Sequence, residues 1–203
     1  MSGPVPRRAG WRRPELGFVG IIGGVGLLAA FIAEIPEGLN LLRLILFHAG
    51  AIAVAVAMQP VLAATSAGMA NLATLPVVVA NLASMAWLLA ALGRDRPFAG
   101  DFGVVGFVIE LSVWVAAAWF AALAFRSGTV WRPATAMLGV GSVLAIPGMD
   151  RLELTSSASP SISGPIALLG IALHGLAWIL LGLWLVGRGW ADSAKPLRDP
   201  SHG

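Results

Sequence analysis

The chain has 203 residues, of which 58% are hydrophobic and 11% are charged, and its formal net charge at pH 7 is +3. A soluble domain carries about 25% charged residues, so this composition indicates a chain embedded in lipid, without room for a sizeable soluble domain. The absence of cysteine excludes disulfides, Fe–S clusters and a cysteine nucleophile. The basic residues lie beside apolar runs and form no basic groove, so we expect no nucleic-acid partner.

Six apolar runs, each close to the length needed to cross a bilayer, follow one another along the chain. They cover about 16–35, 39–64, 71–93, 102–125, 130–149 and 165–186. Helices satisfy their own backbone polar groups in hydrocarbon, so the predicted fold is all-α, an integral membrane bundle of six transmembrane helices. The transmembrane domain would cover 16–187, after a basic tail at 1–15 and before a polar tail at 188–203.

Glycine and proline residues predict close packing for two of these spans and a kink in a third. Gly20 and Gly24 form a GxxxG pair in the first span, and Gly170 and Gly182 lie on one face of the sixth. Such faces allow close helix approach, either within the chain or in a homo-oligomer or larger membrane complex. Pro76 is predicted to kink or locally unwind the third span near residues 71–72, because it lacks a backbone N–H.

The distribution of basic residues predicts the orientation, because Lys and Arg are retained on the cytoplasmic face. With six spans, nine of the 13 Lys and Arg residues fall on the side that holds both tails, and four fall on the other. Both termini are therefore predicted to be cytoplasmic. The size and layout are common among bacterial membrane proteins, which predicts a multi-pass protein of a bacterial-type cytoplasmic (inner) membrane.

Three ionisable side chains, His48, Glu110 and His174, lie well inside the predicted spans, away from their ends. Each costs at least about 2.5–3.5 kcal/mol at the bilayer centre, so they should face the bundle interior and find partners. All three lie roughly 8–10 residues from the outer ends of their spans, about 12–15 Å deep. Asn81 and Ser142 reach a similar depth. The sequence therefore predicts one buried polar cluster made of these five residues.

Two interpretations of this cluster are non-enzymatic and need no cofactor. In the first, the cluster is a hydrogen-bonded network that fixes helix packing in a structural or assembly subunit. In the second, Glu110 exchanges a proton with a histidine, and the protein couples to protons or small solutes. The sequence does not choose between them.

Two further interpretations assign a cofactor or a metal. His48 and His174 would be the axial ligands of a haem b in an electron-transfer protein, with Arg43 neutralising a propionate. Alternatively, both histidines with Glu110 or Asp150 would hold Zn²⁺ in an intramembrane hydrolase. No HExxH spacing or serine–histidine motif is present, so we expect no enzyme, assign no catalytic residue and commit to no metal.

Overall fold

The computed structural model describes residues 14–32, 37–91, 100–146 and 165–193. These ranges form six α-helices and hold no strand: α1 Pro14–Ile32, α2 Glu37–Ala63, α3 Ala67–Ala91, α4 Gly100–Ser127, α5 Arg132–Ala145 and α6 Pro165–Ser193. Most of the predicted basic tail, the connection that holds Asp150 and most of the predicted polar tail lie outside the described residues. The all-α prediction is confirmed for the described residues.

Four of the helices are long and apolar enough to cross a membrane. Their apolar stretches are Leu42–Ala63, Ala67–Ala90, Val104–Ser127 and Pro165–Arg188, in α2, α3, α4 and α6. The apolar stretch of α1, Glu15–Ala29, is shorter, and α5 has 14 residues. Several helices of this length and composition are compatible with a membrane protein.

The six helices form a closed ring in chain order. Each helix packs on the next, and α1 closes the ring by packing on α6. Large buried side chains, including Phe47, Phe120, Leu138 and Trp178, fill the centre. Exposed leucine and valine side chains cover the outer surface of the ring, as expected for helices that face lipid.

Glycines on two faces of α1 let this helix fit between α2 and α6. A Cβ atom on Gly23 would lie 2.9 Å from the Cα atom of Gly50 on α2, and one on Gly24 would lie 2.8 Å from the carbonyl oxygen of Gly175 on α6. The predicted Gly20 and Gly24 pair is therefore divided, since Gly20 packs on α2 and Gly24 on α6. These contacts are intramolecular, and an oligomer formed through glycine faces stays a prediction.

Helix α3 begins at Ala67, four residues before the predicted span, because Ser66 caps it. The Ser66 Oγ atom accepts a hydrogen bond from the Met69 N–H at 3.3 Å, which satisfies one of the free donors at the start of the helix. At the other end of the chain, α6 continues as a helix to Ser193, beyond the predicted span.

The structure shows how α3 passes Pro76 without a break. The local unwinding predicted near residues 71–72 is not present, because the helix is continuous from Ala67 to Ala91. Pro76 lacks the N–H that would bind the carbonyl of Leu72, four residues earlier. The Trp119 Nε1–H on α4 donates to that carbonyl at 3.0 Å. A side chain of the neighbouring helix thus replaces the missing backbone donor.

Candidate functional site

The five residues of the predicted cluster lie in two hydrogen-bonded networks. The His48 network joins His48 on α2, Asn81 and Ser84 on α3, and Glu110 on α4. The His174 network joins Ser142 on α5 to His174 and Trp178 on α6. The Phe47 ring contacts both imidazoles, with its centre 5.1 Å from the His48 ring centre and 5.6 Å from that of His174. An apolar ring therefore lies against both networks.

In the His48 network, Asn81 fixes which imidazole nitrogen carries a hydrogen. The Asn81 Nδ2 atom donates to the Val77 carbonyl at 2.8 Å, and the Asn81 Oδ1 atom lies 2.8 Å from His48 Nδ1. Because the Val77 carbonyl can only accept, this amide orientation is the one that satisfies both contacts. His48 Nδ1 is therefore the donor to Asn81, and Nε2 is left to face Ser84.

Ser84 connects the other side of the imidazole to the carboxylate. Its Oγ atom lies 3.0 Å from His48 Nε2 and is hydrogen-bonded to Glu110 Oε1. The direct distance from His48 Nε2 to Glu110 Oε1 is 3.9 Å, so the hydroxyl is the shorter route between them. Ser84 is absent from the predicted cluster. Its position three residues after Asn81, on the same helix face, was the available signal.

The serine hydroxyl allows two arrangements of the same protons. In one, the His48 Nε2–H donates to Ser84 Oγ and the Ser84 O–H donates to an ionised Glu110. In the other, a protonated Glu110 donates to Ser84 Oγ and the Ser84 O–H donates to neutral His48. Both arrangements satisfy every contact. They differ in whether the proton is held by His48 Nε2 or by the Glu110 carboxylate. The geometry therefore suits a network that carries one transferable proton.

The two ends of this network differ in accessibility. The His48, Asn81 and Ser84 side chains are buried, whereas the Glu110 side chain is 27% exposed. On α5, Gly139 packs against Ala121 of α4. Because the two helices are antiparallel, the end of α5 lies beside about residue 115 of α4. Helix α5 therefore ends roughly five residues before it would reach the level of Glu110. Glu110 is therefore the more exposed end of the network and His48 the more buried end.

The His174 network fixes a single protonation state. The Trp178 Nε1–H can only donate, and it lies 2.8 Å from His174 Nε2, so this nitrogen must accept. Ser142 donates to the Leu138 carbonyl at 2.7 Å and lies 2.9 Å from His174 Nδ1, so Nδ1–H donates to Ser142. Every donor has an acceptor when His174 is neutral. A second hydrogen on this ring would point at the indole N–H.

The haem and metal interpretations receive no added support from this geometry. Each imidazole nitrogen of His48 and His174 already has a protein partner, so ligation would require Ser84 or Asn81, and Ser142 or Trp178, to move away. Arg43 donates to the Ala29 carbonyl at the end of α1 at 3.2 Å. Among the described residues, no three His, Asp or Glu side chains form a group that could hold a metal ion.

No protein-family model, no curated protein and no solved structure matches this chain. No role can therefore be carried over from a relative. The hydrogen-bonded networks themselves are the basis for a function.

The His174 network predicts a specific loss of stability. We expect Trp178→Phe to lower the free energy of unfolding by about 1–3 kcal/mol, because His174 Nε2 would stay buried without its donor. Trp184→Phe is the matched control, since its half-buried ring lies under Arg188 and a phenyl ring keeps that contact. Thermal unfolding in detergent measures both variants, and equal losses would show that the Trp178 hydrogen bond contributes nothing.

Proposed function

We propose that this protein is a proton-coupled membrane protein with six spans, in which the His48 network binds and passes one proton. Both termini would be cytoplasmic, in a bacterial-type cytoplasmic (inner) membrane. The proposal rests on the Ser84 hydroxyl, because this group joins a partly exposed carboxylate to a buried imidazole. Ionisable groups that are buried in a membrane protein and connected in this way are typical of proton relays.

Six spans are supported by the places of the two shorter helices in the ring. Helix α1 packs along α2 and α6, and α5 packs along α4 and α6, all of which are candidate spans. A helix that packs along two spans shares their depth in the membrane. The orientation is supported by Arg126, Arg132 and Arg188, which lie at one end of the bundle, and by the rule that basic residues face the cytoplasm.

The relay works through two coupled proton movements. The His48 Nε2–H passes to Ser84 Oγ while the original hydroxyl hydrogen passes to Glu110 Oε1. One N–H and one O–H bond break, two O–H bonds form, and the charges of His48 and Glu110 are both neutralised. The nitrogen and oxygen atoms need not move, because the same His48–Ser84 and Ser84–Glu110 contacts are present in both arrangements. The Glu110 end would then exchange its proton with the surroundings.

A structural or assembly subunit is the second candidate, and the His174 network favours it. This network is fully matched in one protonation state, as expected of a group that fixes the packing of α5 on α6. The two candidates therefore place different demands on the two networks. Proton coupling requires the His48 network to titrate, whereas a structural subunit requires only that both networks hold the helices.

The test is proton flux into liposomes that contain the purified protein and a pH-sensitive dye, driven by a potassium gradient with valinomycin. The wild type should carry flux, and Glu110→Gln should reduce it to the level of empty liposomes, because an amide cannot accept the proton. Ser84→Ala should lower the flux on the order of 100-fold, since it breaks the bridge between two intact ionisable groups.

Two control variants separate this loss from a general effect. Glu15→Gln removes an exposed carboxylate at the start of α1, and Ser112→Ala removes a hydroxyl whose partner among the described residues is the Ile109 carbonyl. Both should keep wild-type flux. Unchanged flux in Glu110→Gln would reject the relay, and a wild type without flux would leave the structural candidate.

A further inference from the structure

The arginines whose side chains the structure describes fall into two groups. Arg43 lies at the end of the bundle where α1 ends and α2 begins. Its side chain is half-buried and donates to one of the last four carbonyls of α1. Arg126, Arg132 and Arg188 lie at the opposite end, where the apolar stretches of α4 and α6 stop at Ser127 and Arg188. These three guanidinium groups have no hydrogen bond or ion pair to any residue that the structure describes.

Two of the three guanidinium groups lie over aromatic rings. The Arg132 Cζ atom is 5.6 Å from the centre of the Phe125 ring, and the Arg188 Cζ atom is 4.8 Å from that of Trp184. A guanidinium that lies over a ring keeps its in-plane N–H donors, and these match the oxygens of a phosphate. Trp131 is 41% exposed beside them, as tryptophans at a membrane interface are.

Two of these arginines, Arg126 in α4 and Arg132 in α5, flank an ordered turn between the two helices. Ser127 donates to the Ala124 carbonyl at 2.7 Å and accepts from the Thr129 N–H at 3.3 Å. Gly128 has a φ of 68°, a backbone conformation that favours glycine. A binding surface with a fixed backbone loses less entropy when it takes up a ligand.

We propose that this end of the bundle binds the headgroup of an anionic phospholipid through Arg126, Arg132 and Arg188. The charges are complementary, and the arginines lie where the candidate spans end, at the level of phosphates in a bilayer. Glu15, at the start of α1, is an exposed acidic residue at the same end and forms no ion pair with the three arginines. The inference requires the membrane spans but not the proton relay, so the two proposals fail separately.

The experiment measures the thermal midpoint of the detergent-purified protein during titration with phosphatidylglycerol, phosphatidylcholine or inorganic phosphate. Phosphatidylglycerol alone should raise the midpoint. Each arginine near an anionic surface contributes roughly a factor of five in affinity, so the double variant Arg126→Gln/Arg132→Gln should need on the order of 30-fold more of this lipid for half the effect.

Two further variants complete the test. Arg126→Lys/Arg132→Lys keeps both charges and should need less lipid than the Gln variant, but more than the wild type, because lysine lacks the planar donor pair. Glu15→Gln should leave the titration unchanged or strengthen it. An equal shift with phosphatidylcholine or with inorganic phosphate would overturn the proposal, as would a Gln double variant that responds like the wild type.

Discussion

Gly141→Ala is expected to disrupt the packing of α5 on α6. A Cβ atom at this position would lie 2.6 Å from the backbone nitrogen of His174 and 2.8 Å from the carbonyl oxygen of Gly170. Neither atom belongs to a flexible side chain, so the two helices must separate. Overpacking of this kind costs about 1–3 kcal/mol. Here it should also lengthen the Ser142–His174 hydrogen bond, because Ser142 is the next residue on α5.

Gly139→Ala is the matched control on the same helix. Its added Cβ atom would meet the Cβ atom of Ala121 at 3.4 Å, which is close to an ordinary contact. Because alanine is a better helix former than glycine, this variant should keep or slightly raise the thermal midpoint in detergent. An equal fall of the thermal midpoint in the two variants would show that α5 and α6 do not pack as closely at Gly141 as described.

Much of the fold could be predicted from the lengths of the apolar runs. Hydrocarbon allows little besides helices, so these runs were sufficient to predict an all-α chain. The closure of the ring could not be predicted, because helices that are apolar on every face do not indicate their neighbours. The GxxxG pair illustrates this limit. The spacing of Gly20 and Gly24 marked a close approach, but the two residues turn toward different helices.

For the candidate site, the sequence indicated which levels along the helices hold polar residues, but not which of these residues meet. Counting residues along the helices placed His48, Glu110 and His174 near one level. Which of them meet depends on the order of helices around the ring, and Phe47 contacts both histidines. Ser84 was missed because a serine in an apolar helix often bonds a carbonyl of its own helix, as Ser112 does with the carbonyl of Ile109.

The hydrogen bond from Trp119 to the Leu72 carbonyl leads to a second large effect. Trp119→Phe should lower the free energy of unfolding by about 1–2 kcal/mol, because the carbonyl freed by Pro76 would lose its donor in an apolar environment. In Pro76→Ala, the residue at position 76 regains a backbone N–H that can bind the same carbonyl. The indole donor should then be dispensable.

A double-mutant cycle with these two substitutions measures the coupling directly. Unfolding in mixed micelles should give a coupling energy of about 1 kcal/mol, with Trp119→Phe costing less in the Pro76→Ala background than in the wild type. The same cost in both backgrounds would mean that the indole acts only by packing. The result bears on the His48 network, because Asn81 and Ser84 follow Pro76 on α3. The hydrogen bond from α4 therefore helps to hold the segment of α3 that meets both His48 and Glu110.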